Sequence, residues 1–537
     1  MSIKKEKNAA PHIANPDEKY TVTQTLVNYY LVLMFTVFPL FFTNEYFNIR
    51  HDKYGLFLGL SLVLLIAEGA LIAYVRLSPA ANTSASNAGT NQNQVWYRQL
   101  SFPDLAMLAL LLFCFISTLL SDHPYDAVFG TAGRNNGLLL IAVYVGIYFL
   151  ITRCLYYKEY IFIALAAVSS VVFLLAVLNC FYVDPLGMFE HLTDEQTITD
   201  FTSTIGNKNL MSSFICITLP VLMALSVLTK VNGLRVLYLF ASGLGFAALM
   251  TSDSDSGILG LGVFAVIYFI WFVRNISRLK NYFLTLTVML AFAKLLRLFS
   301  YLMNDNSKGM DQFQEIFVYS DTGYILLAVC AVIAAALYLL DFKKPDILLS
   351  KAVPFIIGAI VLLGVAGVVG AIIYFSAIDT TTELGSLERL LRFNDSWGTH
   401  RGYMWIRSMW IFGDESFVKK LFGTGPDNFY YAFSPYFTGL MEYGDSSTNA
   451  AHNEYINYLI TIGVAGLASY LALVGGVIAR AVKAAKKNPL VIISVAAVIC
   501  YSVQAVVNIA QPITTPLFII FLALTEAFSR KTFESEK

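Results

Sequence analysis

The stretch AAHNEYINYLITIGVAG, residues 450–466, sets a histidine, two asparagines and a glutamate at the mouth of a long apolar run. A neutral imidazole with an unperturbed pKa of roughly 6.5 takes a proton from a hydroxyl at neutral pH, which suits acyl or glycosyl transfer. His452 is therefore the candidate base. Asn453, Glu454 and Asn457 follow on the same turns, so the helix entry is polar over an arc. The competing reading is a packed histidine satisfied by a neighbouring carbonyl.

Four cations could meet an anion near such a base. Arg401, in SWGTHRGYMWIRSMWIF, opens an expected helix, where unpaired backbone N–H groups favour an anion. Its guanidinium can fork onto phosphate oxygens in a way no lysine reproduces. Arg134 stands between glycines in GTAGRNNG, and Lys208 lies in TIGNKN at the start of an apolar run. Arg407 follows Arg401 on the same helix, where Met404, Trp405, Met409 and Phe412 fall at spacings that can line one face. The expectation is an amphipathic helix on the outer membrane surface, with Arg401 and Arg407 near lipid phosphates. Plainer roles compete in each case: a solvated turn for Arg134, snorkelling for Lys208, a headgroup anchor for Arg407.

Other chemistries lack their motifs. No H-E-x-x-H, G-x-S-x-G or G-x-x-x-x-G-K-[ST] occurs, and His12, His51, His123, His191 and His400 do not pair at metal-ligand spacing. TSDSDSG, 251–257, lacks the rest of a calcium motif. The six cysteines lie in or beside apolar segments without a C-x-x-C pair and read as packing residues. No metal, cofactor or nucleic acid is expected.

The elements that must hold these residues are membrane helices. The chain is 57% hydrophobic and 13% charged, with a mean hydropathy of +0.64, outside the soluble range. About fourteen apolar segments of roughly 17 to 25 residues follow one another, each able to cross a ~30 Å hydrocarbon core. The short fourth, 138–152, and the ninth, 281–303, which carries Lys294 and Arg297, are the least regular. The twelfth is expected to run unbroken over 453–479. Most Lys and Arg fall in alternate loops, which sets both termini in the cytoplasm, and no cleavable signal peptide precedes the first span. This divides the chain into a cytoplasmic tail, 1–25; helices over 26–120, interrupted by a polar connector, 79–94, expected to be disordered; central helices, 121–376; a large extracytoplasmic loop, 377–452; helices over 453–528; and a cytoplasmic tail, 529–537. The expected fold is thus all-α and polytopic, with short amphipathic helices in one ordered outer loop.

The motifs GRNNGLLL, STIGNKNLMSSFICITLP, SDSGILGLGVF, R-G-Y-M-W, LFGTGPDNF and AHNEYINYLITIGVAGL, in this order over roughly residues 100–525, resemble the O-antigen ligase superfamily. It includes O-antigen ligases, O-antigen polymerases and protein O-oligosaccharyltransferases. G-x-G-P-x-N-F followed by H-N-x-Y-x-x-x-L-x-x-x-G is the most specific part. The resemblance implies a GT-C-like glycosyltransferase of the bacterial cytoplasmic membrane, with its active site on the outer face under the large loop. It implies inverting transfer of a glycan from undecaprenyl diphosphate to a hydroxyl of a glycan, lipid or protein, without metal. Carried over, His452 activates the acceptor, Arg401 binds the diphosphate, and Asn453 and Glu454 orient His452 or the acceptor sugar. Many members carry an arginine where this chain has Ser256 before Gly257, so a second cation would have to be Arg134 or Lys208. The alternative from another class, a lipid-linked oligosaccharide flippase, should show two similar halves and cations in a central cavity; neither is visible.

Overall fold

Continuous apolar stretches without water leave the backbone one way to satisfy its hydrogen bonds within a single segment, and that is the α-helix. The computed structural model accordingly consists of helices, and among the described residues, 22–77, 100–131, 133–304, 306–345 and 347–535, there is no strand. The 79–94 connector and most of the N-terminal tail lie outside these residues. The long helices are α1 (Val22–Leu40), α2 (Ile49–Leu77), α3 (Phe102–Leu119), α4 (Leu138–Cys154), α5 (Tyr160–Cys180), α6 (Lys208–Leu228), α7 (Asn232–Thr251), α8 (Asp255–Phe272), α9 (Ile276–Leu302), α10 (Asp321–Lys343) and α11 (Ala352–Ile373). After the long loop come α13 (Glu454–Thr461), α14 (Gly463–Ala484), α15 (Pro489–Gln504) and α16 (Thr515–Glu534), the loop itself carrying α12 (Trp397–Asp414).

All of the expected apolar segments but the twelfth coincide with a helix, and among the described residues twelve helices are long and apolar enough to cross a membrane. The chain is a multi-pass membrane protein. Two helices stand apart from the twelve: α4 has only 17 residues, and α16 ends with Glu526, Arg530, Lys531 and Glu534. α6 lies at the centre, its apolar window wholly buried, packed by α7, α8, α9 and α15. α11 buries no residue in the protein. At the ends of the helices remote from the 121–137 loop, Asp104 of α3 accepts from Arg153 of α4 (2.8 Å) and Arg530 of α16 (2.5 Å), while Arg480 of α14 pairs with Glu526 of α16 (2.8 Å). These pairs hold four helices in register.

The expected unbroken span over 453–479 is corrected. Gly463 takes φ +68°, a left-handed conformation that stops α13 after eight residues and starts α14 in a new direction. The break is docked on the Gly423–Gly425 turn: Thr424 N donates to Ile460 O (3.1 Å) and Gly425 N to Thr461 O (2.9 Å). A Cβ on Gly423, itself at φ +80°, would lie 2.3 Å from the Thr461 carbonyl carbon, and one on Gly463 would lie 2.4 Å from that of Leu421. The glycines of the two most specific motifs thus exist because two backbones touch there. Gly463→Ala should lower Tm in detergent and folded yield, the strained φ alone costing roughly 1–3 kcal/mol; an unchanged melting curve would show the contact to be dispensable.

Candidate functional site

The 377–452 loop folds as a unit with its own apolar core, in which Tyr403, Met404 and Ile411 of α12 meet Phe429, Phe433 and Leu440. This corrects the expected lipid-lying helix. The buried face of α12 packs on short helices of its own loop, while Met409 and Trp410 are exposed. Arg407 does not stand free for headgroups either. It donates to both oxygens of Asp395 (2.6 and 2.8 Å), with its guanidinium 4.2 Å from the centre of the Tyr403 ring and 4.5 Å from that of Trp410.

Arg401 is set by a different device. Residues Gly398, Thr399 and His400 all have positive φ (59°, 54° and 67°), so right-handed helix begins only at Arg401. Gly402 is required next, because a Cβ there would lie 1.8 Å from Asn394 O. The half-buried Arg401 uses Nη1 on Gly398 O (3.1 Å), and its Nε is buried without a partner. That Nε belongs to the edge with which a guanidinium forks onto an oxyanion. Burial lowers the Arg401 pKa, with the Asp255 carboxylate opposing.

His452 is also strained, at φ +49°. Trp405 Nε1 donates to Ala451 O (3.0 Å), which ties the preceding residue to α12. Asn453 spends its side chain as the N-cap of α13, accepting from Tyr455 N and Ile456 N (3.0 Å each). Glu454 is buried and accepts from Tyr470 (2.6 Å) and Tyr501 (3.1 Å), its pKa raised to about 7 by burial. Asn453 caps the helix that follows His452, and Glu454 ties it to Tyr470 and Tyr501. Burial, then Arg401, then Arg134 lower the His452 pKa to about 3, well below the value assumed from sequence.

The two proposed second cations are both committed. Arg134, 2% exposed, lies 3.5 Å by Nε from Asp427 and donates to Asn449 (3.1 Å) and to Ala510 O (3.1 Å). Asp427 also accepts from Thr131 N and Asn136 N, and Asn428 donates to Ser121 Oγ (2.8 Å). Arg134 is thus the pin between the 121–137 loop and the P-D-N turn, acting on His452 by charge. Lys208 pairs with Asp200 (3.1 Å) and Asp253 (3.3 Å). Ser256 is buried against Ser212, Ser254 and Gln504 in an uncharged hydrogen-bonded cluster.

His452 lines a cavity of about 500 Å³, together with Asp126, Thr131, Tyr430, Asp445 and Asn449 among others. Sequence reading missed Asp126 and Asp445. The available signal was an aspartate in each of two loops already singled out, without any indication that the loops meet. Among the described residues no cluster of His, Cys, Asp and Glu could hold a metal.

A polytopic helical protein with a polar cavity lined by His452 and by residues of one large loop has the parts that a membrane-embedded transferase needs. Residues 316–471 match the family model described as O-antigen ligase, so this part of the chain is similar to that family. The kind of enzyme this match implies is one that transfers a glycan, as ligases and polymerases do. The match contains Arg401 and His452, whereas Arg134 and Lys208 lie outside it. No curated protein matches the chain.

Proposed function

We propose that the protein transfers a glycan from an undecaprenyl diphosphate carrier to a hydroxyl acceptor, without metal and with inversion, on the extracytoplasmic face of the bacterial cytoplasmic membrane. The observation that carries this reading is His452 lining a cavity, with Arg401 near enough to lower its pKa and the Arg401 Nε buried without a protein partner. The acceptor hydroxyl loses its proton to His452 and attacks the anomeric carbon. The bond from that carbon to the diphosphate oxygen breaks on the opposite face, and the charge left on the diphosphate meets Arg401. Arg134 holds the two loops in place, and the alternation of basic loops supports an inward position of both termini.

The test is transfer by the purified chain in liposomes, supplied with a lipid-diphosphate-linked glycan and a hydroxyl acceptor, with products identified by mass. A glycosylated product should form and survive a chelator. Loss on chelation with rescue by a divalent ion would remove the metal-free mechanism, and donor crossing the bilayer without transfer would favour a flippase.

A further inference from the structure

The cavity above His452 carries a charge pattern that leaving-group chemistry does not demand. Both of its charged lining residues are acidic, Asp126 and Asp445, and among the described residues no lysine or arginine lines it. Asp126 is held in place: Tyr431 Oη donates to its Oδ2 (2.5 Å), and the Tyr431 ring stacks on His123 with centroids 3.7 Å apart and planes 13° apart. Tyr430, beside it, keeps 38% of its surface exposed and lines the same cavity. Carboxylates accept strong hydrogen bonds from hydroxyl or ammonium groups, and an aromatic ring packs against the C–H face of a sugar. The same carboxylates oppose a phosphate or carboxylate on an incoming acceptor by like charge. The cation that the reaction does need, Arg401, is outside this lining.

We propose that this cavity is the acceptor subsite and that it selects a non-anionic sugar, neutral or amino-bearing, at the end of a glycan. The enzyme then extends a carbohydrate chain and discriminates against phosphate-bearing acceptors. This rests on the reading of His452 as the base of glycan transfer.

The experiment uses the full-length protein in liposomes with a lipid-diphosphate-linked glycan as donor. The acceptors are a neutral tetrasaccharide and the same tetrasaccharide carrying a terminal phosphomonoester. The neutral form should be used with at least about 10-fold higher kcat/KM. Tyr430→Ala and Asp126→Asn should raise its KM by about 10-fold while donor affinity is retained. Asp445→Lys, at an exposed position, should narrow or invert the preference between the two forms. Equal use of both tetrasaccharides, an unchanged preference in Asp445→Lys, or transfer only to a phosphate-bearing glycolipid overturns the acceptor assignment. A parallel His452→Ala sample separates the two ideas. If it transfers like the wild type, the base reading falls; if it is inactive while the wild type ignores acceptor charge, only the acceptor inference falls.

Discussion

His452→Gln should lose nearly as much glycan transfer as His452→Ala, about 10²- to 10⁴-fold in kcat, the usual worth of a positioned base. Glutamine fills similar space and hydrogen-bonds, but it takes no proton at neutral pH, so the pair of variants separates a base from a scaffold. Donor binding should stay close to normal in both, because the diphosphate is assigned to Arg401, whose Nε has no protein partner, and not to His452. The pH dependence has a definite sign. With its pKa lowered to about 3 in the substrate-free protein, the imidazole is neutral at every pH above that, so kcat/KM should show no acid limb near 6.5 from this residue. A diphosphate beside Arg401 cancels part of the positive charge that depresses His452, which restores basicity when donor is bound. Any limb should therefore appear in kcat, which reports the bound state. Wild-type transfer by a well-folded His452→Gln protein would reduce this histidine to an acceptor-orienting group.

The helices were legible because uninterrupted apolar length has few other physical meanings, and segments such as 160–180 and 208–229 coincide with α5 and α6 to within a residue. The break at Gly463 was not read, although its glycine was quoted in the motif, because the demand for positive φ comes from Leu421 and Phe422 across the loop. The same limit governs the cations. Arg401, Arg134, Lys208 and Arg407 look alike in sequence as exposed positive charges. What distinguishes them is the carboxylate each finds: Asp395 twelve residues from Arg407, but Asp427 nearly three hundred residues from Arg134. Local pattern carries the first kind of partner weakly and the second not at all. Ser256 is a further case, since its cluster with Gln504 depends on α6, α8 and α15 meeting.

Arg401→Lys should fail almost as fully as Arg401→Ala, with kcat/KM for the lipid-linked donor reduced by about 10²- to 10³-fold, the scale of losing one preorganised donor to a developing oxyanion. A lysine keeps the charge but offers a point of attachment in place of two parallel N–H groups. The neighbouring cations cannot substitute in place, since Arg407 is bound by Asp395, Lys208 by Asp200 and Asp253, and Arg134 by Asp427. The loss should fall on kcat and donor binding together, because the diphosphate is held before the bond breaks and gains charge as it does. Arg401→Ala carries a second signature: Arg401 lowers the His452 pKa, so its removal should raise that pKa and bring an acid limb of kcat/KM toward neutral pH, whereas Arg401→Lys should leave the limb low. Retention of wild-type turnover by Arg401→Lys would make this residue an electrostatic neighbour of His452 and would place the diphosphate on some other group. A large loss in both variants, with the pH limb shifting only in alanine, requires a fork at this position as well as a charge.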